Sequence, residues 1–97
     1  MEFEWDLSKA AANLKKHGVS FEEAKTVFDN PLAVIFDDDL HSIDENREII
    51  IGHSRQNRFL LIAFIERSYS IRIISARLAT RQERQDYEQN TLWSYTK

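Results

Sequence analysis

The sequence predicts an α+β domain: two N-terminal helices, then an antiparallel sheet of about four strands, then one C-terminal helix. Two observations favour this architecture. Helix-capping residues stand near both ends of the chain, and four apolar runs lie between them. Short polar links separate the last three runs, and links of that length join antiparallel strands.

The first helix follows a short predicted strand, Phe3-Glu4-Trp5. Asp6 can accept the free N–H groups of the first turn, and Gly18 can end the helix in the left-handed conformation. Four apolar residues at the spacing i, i+3, i+4, i+7 predict the buried stripe of this helix. They are Leu7, Ala10, Ala11 and Leu14.

Two capping boxes mark the other helices. Ser20-Phe21-Glu22-Glu23 opens the second helix, which Asn30-Pro31 stops. Thr80-Arg81-Gln82-Glu83 opens the third, and residues 91–95 either continue it or form a tail. We expect a single domain over residues 1–97, in which 89–97 form a variable C-terminal tail.

The apolar runs predict strands over residues 32–37, 47–54, 58–66 and 69–77, the first of them at a sheet edge. Residues 59–65 are apolar on both alternating faces, which is typical of a central strand. The links Arg55-Gln56-Asn57 and Arg67-Ser68 favour antiparallel hairpins.

Composition limits the class of protein. The 97 residues carry a net charge of −3 and no cysteine, so disulfides and thiolate metal sites are excluded. The acidic N-terminus is unlike a signal peptide, and no apolar run approaches the roughly 20 residues that span a bilayer. We therefore expect a cytoplasmic protein that does not associate with a membrane.

The charge is divided along the chain. Residues 20–48 hold nine acids against two bases, a net −7, whereas residues 49–84 hold seven arginines against two acids, a net +5. A surface divided in this way suggests one polyanionic and one cationic partner.

The most informative segment runs from Arg72 to Arg77 and leads into a helix that adds Arg81 and Arg84. Guanidinium groups at a strand–helix junction suit a phosphate-bearing ligand. Strand alternation puts Arg72 with Ile74 and Ala76 on one face, and Arg77 on the other unless a bulge or twist turns it. Alternatively, the arginines pair with neighbouring acids. Those acids are Glu66, Glu83, Asp86 and Glu88.

A second candidate is a polar stripe on the first helix with the spacing i, i+4, i+7, i+8. Its members are Lys9, Asn13, Lys16 and His17. A histidine beside lysines can act as a general base or contact phosphate. The alternative is that Lys16 and His17 serve the helix dipole, which favours cations at a C-terminus.

Other groups are weaker candidates. A hard-cation site needs several oxygens, but the spacing of the acidic cluster matches no recognised loop, and a solvated acidic turn is the favoured interpretation. That cluster is Asp37, Asp38, Asp39, His41, Asp44 and His53. We therefore expect no metal and no cofactor. Tyr87 can stack on a base or belong to the core, and Trp5 can be core or line the mouth of the site.

Two blocks carry a family resemblance: Lys16 to Ala24, and Arg72 to Arg77 with Ala79, Glu83, Arg84 and Tyr87. Phe3 to Asp6, Lys9, Ala10, Asn13, Val27, Phe28, Arg47, Ile51 and Gly52 agree with them. With these motifs the chain resembles, over residues 3 to 88, the BrnT-type toxins of bacterial toxin–antitoxin modules, a branch of the RelE-like ribonuclease fold.

The resemblance implies a toxin that cleaves RNA by metal-independent attack of a ribose 2′-hydroxyl and so inhibits translation. It also implies a DNA-binding, BrnA-like antitoxin, with operator DNA reached only through that antitoxin, in a dimer or a toxin–antitoxin heterotetramer. RelE-like toxins are usually more basic than this chain. The alternative is a catalytically inactive module that serves as antitoxin partner or co-repressor.

The resemblance and the chemistry together suggest residue roles. Arg72 and Arg77 are expected to stabilise phosphate and transition state, with His17 or Lys16 as base or acid. The expected RNA contacts are Lys9, Arg47, Arg84 and Tyr87.

Overall fold

The computed structural model describes residues 2–38 and 45–93, with the side chains of all these residues except 90–93. Its helices are α1 (Leu7–His17), α2 (Phe21–Val27) and α3 (Arg81–Trp93). Its strands are β1 (Glu2–Glu4), β2 (Val34–Asp37), β3 (Arg47–His53), β4 (Phe59–Glu66) and β5 (Ser70–Leu78).

The strands form one sheet in the order β1-β5-β4-β3-β2. Strands β2 to β5 are antiparallel neighbours, as expected, and the apolar β4 is central. The expectation of an antiparallel sheet of about four strands is wrong, because β1 joins as a fifth strand parallel to β5. Two helices and three strands separate β1 from β5 along the chain, so no short hairpin requires these two strands to be antiparallel.

The predicted helix caps are confirmed. The Asp6 carboxylate accepts from the Lys9 N–H at 2.9 Å, and the Ser20 hydroxyl accepts from the Glu23 N–H at 3.0 Å. Gly18 ends α1 with φ +69°, a left-handed conformation that glycine adopts without strain.

The sheet buries apolar residues on both faces. On the α1–α2 face, Phe21 and Val27 of α2 pack with Leu60 and Ile62 of β4. On the α3 face, Tyr87 packs with Phe59, Leu61 and Ile51. Among the described residues, no helix is long and apolar enough to cross a membrane.

The predicted buried stripe of α1 is wrong for three of its four residues. Leu7 and Leu14 are 80% and 52% exposed and Ala11 is also exposed, whereas the polar Asn13 is buried. The reason lies on β5, where Ala76 donates to the Asn13 Oδ1 at 3.1 Å and accepts from its Nδ2 at 2.8 Å. The same Nδ2 donates to the Val19 carbonyl at 2.9 Å. These bonds fix the rotation of α1 and turn its leucines outward.

A buried carboxylate joins α2 to the β3–β4 hairpin. Glu23 is 4% exposed, and its oxygens accept from the Nε and Nη2 of Arg58 and, at 2.7 Å, from the Ser54 hydroxyl. Arg58 also donates to the Gly18 carbonyl at 3.0 Å, which brings in the end of α1. The hydrogen bonds from Arg58 lower the pKa of Glu23 and keep it charged despite burial.

Replacing Glu23 tests this junction. Glu23→Ala removes the partner of Arg58 and Ser54, so we expect a loss of about 3 kcal/mol in the free energy of unfolding. Denaturant titration measures it. The neighbouring Glu22 is exposed, and Glu22→Ala is expected to change stability by about 0.5 kcal/mol or less. Equal effects of the two substitutions would contradict the assignment.

Candidate nucleic-acid interface

A β-bulge decides which way the arginines of β5 point. Ser75 lies opposite Ala63 of β4, but the next β4 residue, Phe64, lies opposite Ile73, so Ile74 is an extra residue. The bulge changes the alternation, and Arg72, Ser75 and Arg77 all share the α3 face of the sheet. The expectation that Arg72 shares a face with Ala76 is therefore wrong. The sequence allowed for a bulge that would turn Arg77, and a bulge is present.

Arg72 and Arg77 lie on the same face of the sheet but are well separated along it. Arg72 lies opposite Ile65 and Arg77 opposite Leu61, and these β4 residues are four positions apart. At roughly 3.3 Å per residue, the two main-chain positions are about 13 Å apart. This separation suits contacts with different phosphates of one nucleic-acid strand better than the binding of a single phosphate by both arginines.

Arg72 has a loose carboxylate partner. Its Nη1 lies 3.9 Å from the Glu4 Oε2 of β1, and its side chain is 30% exposed. Glu4 also pairs with Arg67 at 3.3 Å, so the carboxylate is shared between two guanidinium groups. Arg72 therefore keeps most of its hydrogen-bond donors available.

Arg77 is held much more firmly. Its two terminal nitrogens donate to both oxygens of Glu83 at 2.7 Å, and Nη1 also donates to the Leu78 carbonyl at 3.3 Å. The hydrogen bonds from Arg77 lower the pKa of Glu83 to about 2, with help from the Thr80 N–H. The alternative that an arginine pairs with a neighbouring acid is thus confirmed for Arg77.

Arg47 lies on the same face as these residues. It stands opposite Ile65 on β3, and Ile65 stands opposite Arg72 on β5, so two inter-strand steps, about 10 Å, separate the two arginines. Asp38 lies 3.8 Å from the Arg47 Nε. Ile65 thus has a guanidinium-bearing residue on either side.

On α3, Arg84 and Tyr87 both contact Phe59. The Arg84 guanidinium lies 5.0 Å from the Phe59 ring centroid and its Nε lies 3.5 Å from Glu88, while the side chain stays exposed. The Tyr87 ring is buried against Phe59, and its hydroxyl donates to the Leu32 carbonyl at 2.6 Å. Tyr87 thus has a packing role here, and its stacking on a base stays a prediction.

The lysines of α1 follow the edge of β5. Lys9 and Lys16 lie one turn before and one turn after Asn13 on the same side of the helix. Asn13 is bonded to Ala76 at the part of β5 that β1 does not pair with. Within the described residues, no hydrogen bond or ion pair links Lys16 or His17 to Arg72 or Arg77.

Sequence reasoning missed two residues of this surface. Glu4 approaches Arg72 only because β1 pairs with β5, a long-range contact. Ser75 joins the arginine face only because of the bulge, and its hydroxyl makes no hydrogen bond to any described residue. The only local signal was the position of Glu4 between Phe3 and Trp5, which predicts that it faces the opposite side of the strand from them.

The acidic cluster is only partly described. Asp39, His41 and Asp44 lie outside the described residues. Within residues 2–38 and 45–93, no group of three His, Asp or Glu side chains could hold a metal ion. The His53 ring packs against the Phe59 ring, with 4.8 Å between their centroids. Trp5 packs against Phe21 on the opposite face of the sheet.

The α+β domain carries arginines on one face of its sheet, which suits a protein that acts on RNA. Comparison with known proteins identifies its class as a ribonuclease toxin. The profile of the family described as "Ribonuclease toxin, BrnT, of type II toxin-antitoxin system" matches residues 5–83. The chain belongs to this BrnT family, and membership in a type II toxin–antitoxin family implies an antitoxin partner.

The fold also has a match among solved structures. The crystal structure of the Brucella abortus ribonuclease toxin BrnT, at 1.1 Å resolution, superposes with a TM-score of 0.64 at 24% sequence identity. The match covers 84% of this chain and 99% of that chain, and it shows the likeness of fold. No curated protein matches the sequence significantly.

The Arg77–Glu83 pair predicts a dependence of stability on pH. Because the pKa of Glu83 falls from 4.5 to about 2 on folding, the stabilisation is complete above pH 4.5 and is lost as pH falls towards 2. Glu83→Gln keeps an acceptor for the cap but loses the ion pair, so we expect a loss of about 1–2 kcal/mol at pH 7.

Denaturant titrations across this pH range measure the effect, and in Glu83→Gln the stability should vary less with pH than in the parent. Glu88 pairs with Arg84 on the exposed surface, so Glu88→Gln serves as control with an expected change within about 0.5 kcal/mol. An unchanged acid dependence in Glu83→Gln would show that the pair does not stabilise the fold.

Proposed function

We propose that this chain is an RNA endonuclease that cleaves by metal-independent attack of a ribose 2′-hydroxyl, inhibits translation in the cytoplasm and is neutralised by a cognate antitoxin. Family membership supports the ribonuclease class. One structural observation carries the proposed site: the bulge at Ile74 brings Arg72, Ser75 and Arg77 onto the face that also bears Arg47. Four groups able to donate hydrogen bonds to a polyanion thus share one side of the sheet.

The reaction forms a bond between the ribose 2′-oxygen and phosphorus and breaks the bond from phosphorus to the 5′-oxygen. The 2′-hydroxyl proton passes to an acceptor, and the leaving 5′-oxygen takes a proton from a donor. The products are a 2′,3′-cyclic phosphate and a 5′-hydroxyl. Negative charge grows on the phosphoryl oxygens in the transition state, so fixed guanidinium donors lower its energy more than that of bound RNA.

Arg72 is the proposed ligand of the reacting phosphate. Its contact with Glu4 is long at 3.9 Å, so a phosphate can take up its donors at little cost. Arg77 has a supporting role. Glu83 and Leu78 use three of its five N–H groups, so two donors are left for a neighbouring phosphate.

Glu4 is the proposed proton acceptor. Its carboxylate lies beside the arginine assigned to the phosphate, which is where a general base for the 2′-hydroxyl is required. Lys16 and His17 are the alternatives from the sequence, and they are also candidates for the proton donor. Lys9 and Lys16 along the β5 edge, with Arg47 and Arg84, are proposed to guide the RNA backbone electrostatically.

The second candidate is a catalytically inactive module that binds the antitoxin and acts as a co-repressor. The bidentate pair of Arg77 with Glu83 favours it, because a structural role alone accounts for that arginine. In both cases the proposed partner is a DNA-binding, BrnA-like antitoxin that alone contacts operator DNA. The proposed assembly is a dimer or a toxin–antitoxin heterotetramer.

Cleavage of a labelled RNA in the presence of EDTA separates the two candidates. The purified protein should cut the RNA, and Arg72→Ala should slow single-turnover cleavage by about 100-fold because it removes a transition-state donor. Arg55 is an exposed arginine of the β3–β4 turn, so Arg55→Ala is the control, expected within about twofold of the parent. Full activity in a folded Arg72→Ala variant, or none in the parent, would refute the proposed site.

Substitution of Glu4 tests its role as proton acceptor. Glu4→Gln removes the carboxylate that would take the 2′-hydroxyl proton, so we expect the single-turnover cleavage rate to fall about 100-fold or more. Glu2 is exposed on the same strand, and Glu2→Gln should leave the rate unchanged. A parent-like rate in a folded Glu4→Gln variant would reassign the base to Lys16 or His17, which alanine substitution would then identify.

A further inference from the structure

Helix α1 presents an apolar stripe to solvent. Leu7, Ala11 and Leu14 have the spacing i, i+4, i+7 and lie on one side of the helix. The two leucines are 80% and 52% exposed, and Ala11 is exposed between them. Within residues 2–38 and 45–93, nothing covers this stripe. It belongs neither to the core nor to the arginine face of the sheet.

The exposure is held in place by buried hydrogen bonds. Asn13 is bonded to both backbone groups of Ala76, so rotating α1 to bury its leucines would leave buried polar groups without partners. Because these hydrogen bonds hold the two leucines in solvent, α1 presents an apolar surface that suits a protein partner.

The shape of the stripe suits another helix. Leu7 and Leu14 are seven residues apart, about 10 Å along the axis, and the small Ala11 lies between them. Two large side chains around a small one form a notch, into which a side chain of a crossing helix can insert.

The charge around the stripe selects the partner. Helix α1 contains no acidic residue, and one of its lysines borders the stripe: Lys15 follows directly after Leu14 and lies one turn after Ala11. An apolar stripe on a cationic helix is complementary to an amphipathic helix with acidic residues beside its apolar face. A nucleic acid would match the lysines but leave both leucines unburied.

We propose that the α1 stripe is the docking site for an acidic amphipathic helix of the cognate antitoxin. The proposal rests on the proposed neutralisation by an antitoxin, and it adds the surface and the chemistry of recognition.

The test measures the dissociation constant of the full-length toxin for its separately purified antitoxin by calorimetry. Leu7→Asp and Leu14→Asp should each weaken binding about tenfold or more, because each puts a carboxylate into an apolar, acid-facing contact. Leu32 is also an exposed leucine but lies just before β2, and Leu32→Asp should stay within about twofold of the parent. Lys15→Glu should weaken binding about tenfold at low salt and less at high salt.

Each outcome decides the proposal. Parent-like affinity in both folded leucine variants overturns it. If the variants lower the oligomeric mass of the free toxin in light scattering while antitoxin affinity is unchanged, a second copy occupies the stripe and the proposal is wrong. Cleavage of RNA by the free variants at the parent rate, together with weaker antitoxin binding, supports it. If the parent fails to cleave RNA but the binding losses appear, the catalytic proposal fails and the docking site stands.

Discussion

The pairing of Asn13 with Ala76 is the constraint on which much of this small fold depends. Strand β1 is only three residues long, and among the described residues no strand pairs with the outer edge of β5 beyond Arg72. The Asn13 amide presents one N–H and its carbonyl oxygen to Ala76 as a peptide group of a neighbouring strand would, so it replaces the missing strand there. In doing so it sets the position and rotation of α1, and therefore which side chains of that helix meet the core, the sheet edge and solvent.

The second organising feature is the separation of roles between the two faces of the sheet. The α1–α2 face carries the main core and the buried Glu23–Arg58 junction, whereas the α3 face carries the arginines. Strands hold side chains more rigidly than loops, so guanidinium groups anchored on β5 and β3 need little ordering when a polyanion binds. An acidic protein can thus present a local cationic surface without a high net positive charge.

Local signals predicted local structure well. The caps at Asp6, Ser20 and Thr80 involve partners three residues away, so sequence alone predicts them. The parallel pairing of β1 and the bond from Asn13 to Ala76 join residues more than 60 positions apart, and no local pattern encodes them. The position of the bulge could not be predicted from the sequence either, because Ile73 and Ile74 are alike and either could be the extra residue. The Arg77–Glu83 pair spans six positions and was foreseeable.

The bulge makes the spacing between Arg72 and Arg77 more informative than the residues that fill it. Arg72 and Arg77 are five residues apart, an odd number, and they share a face only because Ile74 is the extra residue of the bulge. A regular strand of the same length would put the two arginines on opposite sides of the sheet, whereas a strand one residue shorter and without the bulge would keep them together. In relatives of this chain, the length of this segment and the presence of the bulge should therefore change together wherever the arginine surface is kept.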